Sequence, residues 1–137
     1  MRILVDVNVV LDVLLDRRPF FAASAAIWSA IEMGVVQGLI AAHAVTTIHY
    51  LIRREHGSTE AKQALSMLLR VFGVAMVDEG VIRGAFELRA PDFEDSVTAA
   101  AAQLAGCELI VTRDPKGFRG ASIRVLAPEA AAPILAR

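Results

Sequence analysis

Apolar residues in this chain fall into short blocks separated by longer stretches with helical spacing. Ile3 to Val5 predicts a short buried strand, and Val7 to Leu15 a helix with Val10, Leu11, Leu14 and Leu15 inward, broken by Asp16-Arg17-Arg18-Pro19. An Ala-rich helix from about Ala22 to Met33 turns Ile27, Trp28 and Ile31 toward a core and stops at Gly34. Gly38 to Ala42 reads as a second strand. Val45, Ile48, Leu51 and Ile52 place a helix over Ala44 to Glu55, with Arg53 and Arg54 suited to its C-terminal dipole. Past Gly57, Ser58 is the expected N-cap of a helix running through Leu65, Leu68 and Leu69. Val74 to Val77 is a short strand, Glu79 to Leu88 a helix, and Pro91-Asp92 opens a helix ending at Gly106. Leu109 to Thr112 and Ile123 to Leu126 are the last two strands, and no element is assigned after them.

Short apolar strands alternating with helices predict an α/β fold: a three-layer α/β/α sandwich around a parallel sheet of about five strands. In such sheets ligands bind beyond the carboxyl ends of the strands. Three acidic elements fall near that edge. Asp6 ends the first apolar run, where an ionised carboxylate is costly unless it is paired or binds a metal, although it also suits an N-cap. In Asp92-Phe93-Glu94-Asp95, Asp92 reads as a cap, which puts Asp95 in the first helical turn, free to face the sheet edge. Asp114, taken alone, is an ordinary loop carboxylate before Pro115.

Together they imply a shared site. Carboxylates brought close raise one another's pKa unless a cation compensates. Oxygen donors without a Cys/His pair at zinc spacing point to Mg²⁺ or Mn²⁺, held by Asp6, Asp92, Asp95 and Asp114. Such an ion activates water and neutralises charge on a phosphoryl group. Arg113 and Lys116 flank Asp114 and are the candidates for holding a phosphate backbone; Arg17, Arg18 and Arg119 are weaker ones. Asp12 and Asp16 read as solvated or as supporting groups, and His43, His49 and His56 as helix-end or packing residues.

Composition adds limits. With 137 residues, 55% of them hydrophobic, the chain suits one domain over 1–137. A mean hydropathy of +0.52 suggests apolar surface covered by a second copy, a homodimer. The net charge of −1 gives no overall basic field, so any phosphate contact has to be local. A single cysteine, Cys107, fits a reducing cytosol. Asp6, Asp12 and Asp16 interrupt the apolar N-terminal stretch, and no uncharged run reaches the roughly 20 residues of a membrane span. A cytoplasmic protein without membrane contact is expected.

The run Ile3-Leu4-Val5-Asp6-Val7-Asn8-Val9-Val10-Leu11-Asp12, then Asp92-Phe93-Glu94-Asp95-Ser96, then Ile110-Val111-Thr112-Arg113-Asp114-Pro115-Lys116-Gly117-Phe118, resembles the PIN-domain family. The length is similar to that of stand-alone PIN domains such as VapC-type toxins. The resemblance implies metal-dependent cleavage of RNA by activated water, and an antitoxin partner. It makes Asp6, Asp95 and Asp114 the catalytic first, third and fourth family carboxylates, with Asp92 auxiliary and Asn8, Thr47 and Thr112 supporting. The second family carboxylate has no counterpart, because Thr46 or Thr47 stands in its place; Asp92 or Glu94 could supply that charge. Two rival readings remain. One is a degenerate PIN domain that binds RNA or protein without catalysis. The other is a haloacid-dehalogenase-like phosphatase with Asp6 as nucleophile, against which Asn8 argues by standing where a second acid is needed.

Overall fold

The computed structural model describes residues 1–136. Five strands, β1 (Arg2–Val5), β2 (Gln37–Ala41), β3 (Gly73–Ala75), β4 (Leu109–Val111) and β5 (Arg124–Leu126), form one sheet in the order β3-β2-β1-β4-β5. Every pairing is parallel. Ile3, Leu4, Val5, Ile40, Ile110 and Val111 are fully buried, as a sheet covered on both faces requires. The helices are α1 (Val7–Leu14), α2 (Phe21–Glu32), α3 (Ala42–His56), α4 (Ser58–Val71), α5 (Glu79–Ala85), α6 (Phe93–Leu104) and α7 (Pro128–Leu135). Contacts link α1 to α2 and α3, α2 to α7 and α3 to α4, while α5 packs on α6, so helices flank the sheet as expected. No helix is long and apolar enough to cross a membrane among the described residues.

Some local expectations change. Ser58 is not an N-cap: Gly57, at φ +90°, both ends α3 and precedes α4, so the chain reverses through one residue that tolerates positive φ. The strand expected at 74–77 lies one residue earlier and is shorter, since β3 is an edge strand paired only with β2. Pro115–Phe118 forms a 3-10 turn and Pro128–Leu135 a helix, neither of them assigned from the sequence. Pro128 starts α7, where a proline's missing N–H costs nothing, but Pro133 lies inside it and masks the pattern.

Of the two roles expected for Asp12, solvated or supporting, it takes the second. It is 0% exposed on α1, where its Oδ2 accepts from Ser24 Oγ of α2 at 2.9 Å and from Arg113 Nε at 2.8 Å. The Arg113 guanidinium also stacks 4.0 Å from the Phe20 ring centroid. Arg113, expected at the RNA backbone, is therefore turned inward, with a quarter of its side chain exposed (25%). This pair clamps the chain after β4, which carries Asp114, onto α1 and α2. Removing the cation from a buried carboxylate is costly, so Arg113→Ala should lower unfolding free energy by about 3 kcal/mol. Adding Asp12→Asn should recover much of that loss; a urea melt with Arg113→Ala unchanged would contradict the clamp.

Candidate active site

β1 connects to β2 on one side, and the chain later returns to place β4 on the other side of β1. That reversal opens a crevice beyond the carboxyl ends of β1 and β4. Val5 pairs with Val111, so the next residues, Asp6 and Thr112, meet there. Asp6 caps α1 with Oδ1 accepting from Val7 N at 2.8 Å, and its Oδ2 accepts from the Thr112 hydroxyl at 2.8 Å. Thr112 Oγ1 in turn accepts from Asp114 N at 3.1 Å and from Asn8 Nδ2 at 3.5 Å, while Asn8 Oδ1 accepts from Arg113 N at 3.2 Å. The cap and the site acid are thus the same Asp6.

Asp92 caps α6, its Oδ1 accepting from Glu94 N at 2.7 Å and Asp95 N at 3.3 Å. Asp95 then projects from the first turn. A methyl added at Gly117 would lie 2.9 Å from Asp95 Oδ2 and 3.0 Å from Asp114 Oδ2, so both carboxylates border one small space above that glycine. Burial first, then the charges of Asp6, Asp92, Glu94 and Asp114, push the Asp95 carboxyl up to about 6. Burial also raises Asp6, and Glu94 adds to the rise, against hydrogen bonds from Thr112 and Val7 and the charge of His43. The five acids therefore share one electrostatic field.

Asn8 and Thr112 belong to this network. Thr47, half-buried on α3, makes no side-chain hydrogen bond among the described residues, and the exposed Thr46 donates to His43 O at 3.1 Å. Lys116 is exposed on the turn beside Asp114. Two residues do more here than was read of them in the sequence. Gly117 matters because it lacks a Cβ. His43, just past the carboxyl end of β2 as Asp6 is past β1, acts on Asp6 and sets Nε2 3.2 Å from Thr98 Oγ1, with Nδ1 buried and unpartnered. Its position just past a strand's carboxyl end, the criterion that singled out Asp6, is the signal that could have found it.

No three His, Cys, Asp or Glu side chains among the described residues are gathered closely enough to hold an ion as they stand. The donor set nevertheless fits a hard divalent cation in kind. It offers carboxylate oxygens without thiolate, in a field that already disfavours Asp95's charge.

The family model of the PIN domain matches residues 2–116. The chain belongs to the PIN-domain family. Solved structures with the same fold as this PIN domain include VapBC-1 from nontypeable Haemophilus influenzae, with a TM-score of 0.71 and 12% identity over 94% of this chain and 99% of that one. A toxin-antitoxin complex from Klebsiella pneumoniae gives 0.67 and 22% over 91% and 96%. VapC20 from Mycobacterium tuberculosis, a sarcin-ricin loop cleaving toxin, gives 0.64 and 17% over 79% and 86%. Comparison with curated protein sequences gave no match.

Asp95 supplies a stability test. In the PIN domain its carboxyl sits near 6, against 3.8 for an ordinary Asp, so the folded state holds this proton more tightly than the unfolded chain. The contribution is present below the ordinary value and lost as pH rises through about 6. Melting temperature without divalent ions should therefore fall from pH 4 to pH 7, and Asp95→Asn should flatten part of that slope. Parallel profiles for the two proteins would contradict the assignment.

Proposed function

We propose that this PIN domain is a Mg²⁺- or Mn²⁺-dependent endoribonuclease and the toxin of a toxin-antitoxin pair. The observation that carries the reading is the pair Asp95 and Asp114 bordering the space above Gly117, with Asp6 fixed beside them at the β1/β4 crevice. Asp6, Asp95 and Asp114 would hold the ion, with Asp92 assisting; when bound, it lowers the pKa of a water and neutralises charge on the phosphate. The protein's own groups do the rest. The Thr112 hydroxyl donates to the Asp6 carboxylate and accepts from the Asp114 backbone N–H, which holds that carboxylate and the start of the Asp114 loop together before substrate arrives. Asn8 ties the same hydroxyl to the Arg113 backbone, so the crevice is braced from both strands. Lys116, on the turn beside Asp114, takes a neighbouring phosphate, whereas Arg113 does so only with the part of its guanidinium that Asp12 leaves open.

The empty place of the second family carboxylate is filled, in this reading, by Glu94, whose charge reaches both Asp6 and Asp95. Thr47 keeps a supporting role on α3. The alternative, a PIN domain that binds RNA or protein without cleaving, is favoured by Thr46 and Thr47 alone. An antitoxin partner is suggested by the toxin-antitoxin complexes among the fold neighbours, and a homodimer in the cytoplasm by the composition and the exposed Met33, Met76 and Leu104.

Cleavage of a labelled RNA in Mg²⁺ decides between the two. Asp6→Asn and Asp114→Asn should each lower the rate about 100-fold or more, as loss of one preorganised electrostatic group does. Gly117→Ala should do likewise without removing any acid, because its methyl occupies the shared space, and Glu94→Gln should cost about tenfold. Wild-type-like rates in Asp6→Asn, or no cleavage by the native chain, would overturn the proposal.

A further inference from the structure

Phe86 follows α5 and Phe93 begins α6, and their rings pair with centroids 5.0 Å apart at 39°. The pairing leaves them 74% and 49% exposed, so mutual contact does not account for two large aromatics at the surface. Their position is specific. Phe93 lies between Asp92 and Glu94 of the acidic site. The segment joining the two rings touches the loop beyond Asp114: a methyl at Gly120 would stand 3.3 Å from Arg89 N and 3.5 Å from Arg89 Cβ. Arg119 is held on the same loop, its Nε donating to Lys116 O at 3.3 Å. Arg89, Lys116 and Arg119 are all exposed, and none has a carboxylate partner among the described residues. Two flat rings and three cations without a carboxylate partner among the described residues thus lie on two segments that touch, one of which leads into Asp92, Glu94 and Asp95.

We infer that the Phe86–Phe93 pair is a stacking platform for bases of an unpaired RNA strand whose phosphates lie along Arg89, Arg119 and Lys116 on the way to the crevice. This rests on the ribonuclease reading and adds to it the residues that would hold the strand. A chain of net charge −1 with clustered carboxylates gains little from long-range attraction for RNA, so affinity must come from local cations and from contacts to the bases. Aromatic faces supply the latter for any base that is not already stacked in a duplex. A partner peptide bound through apolar contacts has less use for three exposed cations on the ring-bearing segment and the loop it touches.

The test measures binding of a fluorescent single-stranded oligoribonucleotide in the Asp6→Asn background, where the strand is not consumed, and cleavage in the native background. Phe86→Ala and Phe93→Ala should each weaken single-strand binding about tenfold and slow its cleavage at low substrate, and leave binding of the same sequence as a duplex unchanged. An oligonucleotide with abasic sites should bind weakly and respond little to either substitution. Phe93→Trp should restore binding, and its fluorescence should be quenched by the bound strand. The restoration separates stacking from a folding defect. Native cleavage with single-strand affinity unmoved by both alanine variants would overturn the platform while leaving the nuclease reading standing. Failure of the native chain to bind or cleave RNA at all would overturn both. Unchanged RNA affinity with loss of a purified antitoxin's binding would assign the rings to a protein partner instead.

Discussion

Carboxylates that face one another across a sheet edge repel, and the rest of this site is organised around holding them there. Asp95 is the clearest case, since burial and four neighbouring acids lift its carboxyl to about 6. A fold driven only by stability would not gather Asp6, Asp92, Glu94, Asp95 and Asp114 at one place. The parallel sheet makes it feasible, because its reversal of strand order opens a crevice where α1 begins and where the chain leaves β4.

Two devices hold the acids against their repulsion. The Thr112 hydroxyl donates to Asp6 and accepts from the Asp114 backbone and Asn8, so one small side chain joins the ends of β1 and β4. Behind it, the buried Asp12 takes Ser24 and Arg113, and Arg113 lies on Phe20. Arg113, next to Asp114, thus acts mostly inward, as a clamp on the loop. Gly117 completes the arrangement by what it lacks: any Cβ would enter the space that Asp95 and Asp114 share.

Much of this was legible in the sequence. Among the described residues, period and block length located all five strands and six of the seven helices, because buried parallel strands are short apolar runs and the helices carry one apolar face. Asp6, Asp95 and Asp114 were legible because acids at strand ends or in a first helical turn stand out against apolar runs. What was hidden depended on partners distant in the chain. Asp12 read as solvated or supporting, and the sequence could not choose between them because its Arg113 partner is 101 residues away. Gly117 stood only as one residue of the run ending at Phe118, and His43, read as a helix-end or packing histidine, gave no sign of acting on Asp6, because their neighbours come from other elements. The helix at Pro128–Leu135 was obscured by Pro133, and Ser58 was overruled by the single-residue reversal at Gly57.

Crystals of the full chain soaked in Mn²⁺, with diffraction recorded at the manganese absorption edge, test the central claim most directly. The account predicts an anomalous peak in the space above Gly117, at coordination distance from Asp95 and Asp114 and on the side of Asp6. A fully soaked crystal with no peak there, or with manganese bound only elsewhere, would contradict it.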